Sequence, residues 1–255
     1  MVAQLYRQAR DSYASVRAQT PLYAIEDSTL VAWIFSARFS PIFTAIFIRY
    51  GVRPNSVTIL MILSGLLGAA LFAVDNVFVK LAGYVFIQLW FVMDCSDGEI
   101  ARITRDFSDY GTEIDYLAHV LTHPAFQVSF LLSAVQLYIE RGMDLRVLLV
   151  VFAAIAVVEL MIRAMLGLEL ICRYKDAKNG QAGGPVPKQT PKQMLVSAIY
   201  VYPNVALFFP IIYFLDVLLG TTLGFYYTVF VLVVSAPMMA KLALSVVGRL
   251  ARYPT

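Results

Sequence analysis

Charged residues are scarce in this chain. Of 255 residues only 15% are charged, while 60% are hydrophobic and the mean hydropathy is +0.72. A water-soluble domain of this length is nearer a quarter charged and half apolar. The deficit excludes an ordinary water-facing globule, and the surplus apolar surface must meet lipid. Cysteine is also rare. Cys95 and Cys172 are the only two, they form no CxxC pair, and we read them as free thiols rather than a disulfide framework. No internal repeat or low-complexity run is visible, which argues against the inverted repeats of many transporters. The first 50 residues lack an early apolar run, so no signal peptide is expected.

Long apolar runs, by contrast, are plentiful. A membrane-crossing helix needs roughly 20 mostly apolar residues. Val57–Val74, Val77–Met93, Val147–Ile171, Met194–Leu219 and Phe225–Val247 meet that standard, and Ile114–Tyr138 joins them although it opens with Asp115 and His119. The expected fold is an all-α integral membrane protein of six transmembrane helices. A segment spanning 1–55 precedes a catalytic transmembrane domain at 56–255. Within that first segment Arg38 and Arg49 interleave with Trp33, Phe35, Phe39, Phe43 and Phe47. The apolar positions from Leu30 to Ile48 recur at three- and four-residue steps, the pattern of an amphipathic helix lying in the membrane interface. The alternative is a helix packed on the bundle.

Lysine and arginine orient such a chain. With six spans and a cytoplasmic N-terminus, 16 of the 20 basic residues fall on the inner side. Lys80, Arg141 and Arg146 fall outside, and Arg163 lies within a span. Both termini are therefore expected in the cytoplasm, with the cell membrane as the host. The stretch Tyr174–Gln193 holds three glycines, three prolines and four lysines. It reads as a basic inner loop that cannot be helical throughout.

Intramembrane charge usually marks function, and here it concentrates in one region. Asp94, Asp97, Gly98, Ala101 and Arg102 lie at i, i+3, i+4, i+7 and i+8, one face of a helix. Gly111, Asp115 and His119 follow at i, i+4 and i+8, again one face. Between them Asp106, Ser108 and Asp109 favour a turn. Two helices joined there can point their polar faces at each other. Three carboxylates in a low-dielectric cleft repel, and a divalent cation relieves that repulsion. Asp94, Asp97 and Asp115 are the expected metal ligands, and oxygen donors of this kind suit Mg²⁺ or Mn²⁺, one ion or two. Arg102 can grip a phosphate. Gly98, Ala101 and Gly111 leave room for a bulky ligand, so a pyrophosphate substrate is expected.

This pattern resembles the signature of the CDP-alcohol phosphotransferases, D-x2-D-G-x2-A-R-x8-G-x3-D-x3-D. Asp94, Asp97, Gly98, Ala101, Arg102, Gly111 and Asp115 match it, seven of the eight fixed positions. Pro54 and Asn55, just before the first span, resemble the family's short Pro-Asn element. The resemblance implies transfer of a substituted phosphate from a CDP-linked alcohol to an acceptor alcohol, with release of CMP, in membrane lipid synthesis. The CDP-alcohol donor is CDP-diacylglycerol or a CDP-linked polar head group. The resemblance also implies a homodimer; nucleic acid is not an expected partner.

The eighth position departs from the signature: His119 stands where the family has an aspartate commonly assigned as the base. Three readings follow. His119 is the base, acting with Asp115, since the unperturbed pKa of an imidazole, about 6.5, suits that task. Or it is a ligand or space filler, and Glu113 or substrate phosphate takes the proton. Or activity is lost, and the protein binds CDP-lipid or a partner without turnover. His123, one turn on, reads as a packed or hydrogen-bonded residue. Arg163 follows Glu159 by four residues, the spacing of an ion pair. A substrate-binding role for Arg163, with Arg173 at the end of the same span, is the alternative.

Overall fold

The computed structural model describes residues 2–19, 36–178 and 204–251. Every regular element in them is a helix: α1 (Val2–Gln19), α2 (Ala37–Arg49), α3 (Pro54–Ala73), α4 (Val77–Thr104), α5 (Gly111–Tyr138), α6 (Leu145–Lys178), α7 (Asn204–Leu219) and α8 (Leu223–Leu250). Five of these, α3 to α6 and α8, contain stretches long and apolar enough to cross a membrane. The sixth expected span is represented by α7, 16 residues long; residues 194–203 lie outside the described residues. The chain is an all-α membrane protein.

Beyond a buried apolar core, these helices also turn rows of large apolar side chains outward. On α3 the inward positions include Thr58, Ser64, Gly65 and Gly68, while Ile59, Leu60, Leu63, Leu66 and Leu67 are exposed. Keeping a leucine in water rather than burying it forgoes about 1.5–3 kcal/mol, so a row of them facing outward requires lipid. Small residues inside allow backbones to approach, as membrane helices require in the absence of a hydrophobic drive between them. The α3–α4 crossing shows this directly. A Cβ on Gly83 would stand 2.5 Å from the backbone nitrogen of Phe72, and one on Gly68 would stand 2.9 Å from that of Ile87. Gly65 gives the same room to Trp90 of α4 and Thr122 of α5.

Local signals set the helix ends. Pro54 occupies the first turn of α3, where its missing N–H costs nothing. The Asn76 side chain caps α4 by accepting from the N–H groups of Phe78 and Val79. Helix α4 runs 11 residues beyond the expected Met93, carrying the acidic motif on an unbroken helix. It stops at Arg105, which adopts φ 58°. The turn to α5 is held by Ser108, whose carbonyl accepts from Gly111 N–H at 3.2 Å. Helix α6 continues through Tyr174 to Lys178, so the expected loop starts later than Tyr174; residues 179–193 lie outside the described ones.

The aromatic-rich segment divides the same way. Residues 30–35 are outside the described set, and α2 packs on α4 with its polar side inward. Ser40 and Thr44 are buried and each donates 2.7 Å to one oxygen of Glu99, itself fully buried. Phe39, Ile42 and Ile46 face out.

The end of the α4–α5 hairpin remote from the acidic motif is pinned by Lys80 and Asp216. The Lys80 ammonium donates to the Phe72 carbonyl, Ser133 and Gln136. Asp216 accepts from Tyr138, Leu223 N–H and Gly224 N–H, tying α5 and α7 to the start of α8.

Candidate metal and phosphate site

The site forms where the C-terminal half of α4 meets the N-terminal half of α5. Helical periodicity places Asp94 on one and Asp115 and His119 on the other. Ligand atoms of Asp94, Asp115 and His119 all lie within 4.8 Å of one another. His119 Nε2 is 3.2 Å from Asp94 Oδ1 and 3.6 Å from Asp115 Oδ1. Atoms sharing one cation at about 2.1 Å stand roughly 3–4.2 Å apart, and the two His119 contacts fall in that range, so this donor set fits a single divalent ion.

His119 is held from behind. Its Nδ1 lies 3.1 Å from Nε2 of His123, which is buried one turn further along α5. The Trp90 ring meets both imidazoles edge to face, at 5.0 and 5.3 Å between centroids. A packed indole on one side and a second imidazole behind leave the His119 ring little freedom to turn.

Asp97 stands beside this group and is turned differently. Its Oδ2 accepts from Thr58 of α3 at 2.7 Å and its Oδ1 accepts from the N–H of Gly98. Asp94 and Asp115 are its electrostatic neighbours. The Arg102 guanidinium folds back over Gly98, where a Cβ would meet Nη1 at 2.9 Å, and its Nε donates to Ser12 of α1. Gly98 thus makes room for the arginine. Asn55, at the start of α3, donates to Ser108 in the turn between α4 and α5. Gly111 opens α5 with Ser108 Cβ 3.7 Å from where its own Cβ would be. Ala101 is half-buried one turn before Arg105.

The remaining expected residues lie farther along α6. Glu159 is buried and accepts from Gln127 of α5 at 2.7 Å. Arg163 is an electrostatic neighbour of Glu159 and of His123, and its carbonyl accepts from Tyr116. Arg173 falls in α6, with its side chain outside the described residues.

The model of one family, described as CDP-alcohol phosphatidyltransferase, matches residues 51–247 and so takes in both halves of the acidic motif. The chain belongs to the CDP-alcohol phosphatidyltransferase family. Members transfer phosphate-linked groups from CDP-alcohols in membrane lipid synthesis and are generally dependent on a divalent metal. No curated protein gives a significant match.

Two partners in the site were not singled out from sequence, Thr58 and Ser12; Ser108 was read only as a turn residue and His123 only as packed or hydrogen-bonded, without their partners Asn55 and His119. Thr58 and Ser108 lie inside or beside segments that the motif already marks, but a hydroxyl carries no periodic signal. Ser12 sits 90 residues from Arg102, and nothing local links them.

Proposed function

We infer that this protein transfers a substituted phosphate from a CDP-alcohol to an acceptor alcohol and releases CMP, with a divalent cation seated among Asp94, Asp115 and His119. The observation that carries the reading is the convergence of those three side chains from two helices on one point. Bound there, the cation would supply charge to offset that gathering on the phosphate oxygens and the departing CMP.

The protein's own groups supply alignment, the main contribution available in phosphoryl transfer. Thr58 and the Gly98 N–H hold Asp97 in place next to the cation's seat. Arg102, anchored through Nε by Ser12, keeps its terminal nitrogens over Gly98, where they can bind the diphosphate bidentately. Asn55 and Ser108 brace the turn at the mouth of the cleft. Of the two roles for His119, its position favours the cation: Nε2 points into the acids and Nδ1 is engaged by His123. Asp115 is the more exposed carboxylate, 44% against 29% for Asp94, and we assign it the proton of the acceptor hydroxyl. Arg163 and Arg173 are assigned to acceptor or anion contacts along α6. The site and both termini face the cytoplasm in this reading, because the basic residues gather on that side.

The test is CMP release by the full chain in detergent or liposomes. CDP-diacylglycerol with polar acceptors, and CDP-linked head groups with lipid acceptors, would be screened with Mg²⁺ and Mn²⁺. Metal-dependent CMP release in one pairing is expected. Tight CDP-alcohol binding with no CMP from any pairing would instead establish a binding protein.

A further inference from the structure

We propose that His119 is a direct ligand of the cation and that its imidazole biases this site away from Mg²⁺ toward a borderline transition-metal ion such as Mn²⁺. The inference rests on the transferase reading for the presence of a cation. It goes further in naming which ion the site selects and which residue decides.

The donor set departs from an all-oxygen one. The three groups converging on one point are two carboxylates and one imidazole; Asp97, whose oxygens accept from Thr58 and the Gly98 N–H, stands beside them. Imidazole nitrogen is a softer donor than carboxylate or water. It suits transition metals, whereas Mg²⁺ prefers oxygen and an octahedron of near-ideal geometry.

The ring's orientation is consistent with ligation. A neutral imidazole carries one N–H and one lone pair. Metal-bound histidines characteristically donate the other ring N–H to a neighbouring acceptor, which fixes the tautomer. His123 Nε2 lies 3.1 Å from His119 Nδ1, within reach to accept that N–H in the tautomer that ligation calls for. With Nδ1–H donating backward, the Nε2 lone pair faces Asp94 Oδ1 and Asp115 Oδ1. A cation held between these three atoms would offset their mutual repulsion. Trp90, against both rings, blocks rotation out of this arrangement.

The experiment uses full-length protein in detergent and Mn²⁺ as the probe. Free Mn²⁺ is counted by its electron paramagnetic resonance signal, alone and against Mg²⁺ in competition. Bound Mn²⁺ is examined by pulsed resonance for coupling to a directly coordinated nitrogen. The parent protein is expected to show nitrogen coupling that changes when histidine is isotopically labelled. His119→Asp should lose the coupling and shift the Mn²⁺ to Mg²⁺ affinity ratio about tenfold toward Mg²⁺. His123→Gln should keep the coupling, because it leaves the ligating nitrogen in place. Should His119→Asp fail to fold, isotope labelling of the parent decides alone.

Bound Mn²⁺ without nitrogen coupling, an unchanged ratio in His119→Asp, or no Mn²⁺ binding would each overturn the proposal. CMP release in the same preparations separates the two readings. Turnover without nitrogen coupling removes the ligand assignment and leaves the transferase. Nitrogen coupling without turnover on any CDP-alcohol does the reverse.

Discussion

Thr58 of α3 donates a 2.7 Å hydrogen bond to Oδ2 of Asp97 on α4. This contact couples the first membrane-spanning helix to the acidic motif. The same two helices also approach closely at Gly68 and Gly83, farther along their lengths. Thr58→Val keeps the shape and removes the donor. The expected result is a drop in CMP release of about ten- to a hundredfold, since a lost hydrogen bond to a charged group costs about 1.5–3 kcal/mol. Thr58→Ser should recover most of it. Equal rates for the valine variant and the parent would show that Asp97 needs no such support.

Asp94→Asn and Asp115→Asn each remove one charge from the cation's seat. Both should weaken Mn²⁺ binding by at least about tenfold and abolish measurable CMP release. Isothermal titration with Mn²⁺, alongside a thermal melt to show intact folding, is the appropriate measurement. Metal binding unchanged in both variants would refute the assignment of this site.

Glu99 seats α2. Its two oxygens accept from Ser40 and Thr44, 59 and 55 residues away in sequence. Ser40→Ala with Thr44→Ala would leave a buried carboxylate without those donors, at about 1–3 kcal/mol for each lost partner. The expected outcome is a lower melting temperature in detergent and faster proteolysis near α2. Adding Glu99→Gln should soften the loss, because a neutral amide is cheaper to bury than a carboxylate.

Gly83 admits no side chain without displacement, because a Cβ there meets the Phe72 nitrogen at 2.5 Å and the Gly68 oxygen at 2.8 Å. Gly83→Ala should destabilise the protein by about 1–3 kcal/mol through overpacking. Gly248, with nothing within 4 Å of where a Cβ would stand, is the matched control and should tolerate alanine. Thermal melts of the two variants in one detergent compare them.

Orientation can be read by chemistry at the turns. With Cys95 and Cys172 replaced by serine, Ser108→Cys should react with a membrane-impermeant maleimide only from the cytoplasmic face. A cysteine at Asp144, between α5 and α6, should react only from the other face. Reversed labelling would invert the proposed topology.

Much of the architecture was legible because it rests on local rules. Hydropathy over about 20 residues selects a spanning helix whatever its neighbours do. The i, i+3, i+4 spacing places Asp94 and Asp97 on one face of α4 by helix geometry alone. The same reasoning placed Asp115 and His119 on α5, and the hairpin between them follows from turn residues. The part of the aromatic run that lies in α2 was legible as amphipathic, but its partner was not. Serine and threonine at Ser40 and Thr44 carry no sign of the glutamate they meet.

Sequence alone therefore determined that this is a helical membrane protein with an acidic motif split across two adjacent helices. Covalent spacing and helical period are enough to specify those features. Tertiary structure decided the rest: that His119 joins Asp94 and Asp115, that Asp97 turns to Thr58, and that Arg102 leans on α1. These choices depend on which atoms meet across helices tens of residues apart. Such meetings are set by how closely small residues such as Gly68 and Gly83 let backbones approach, and no local pattern encodes that distance.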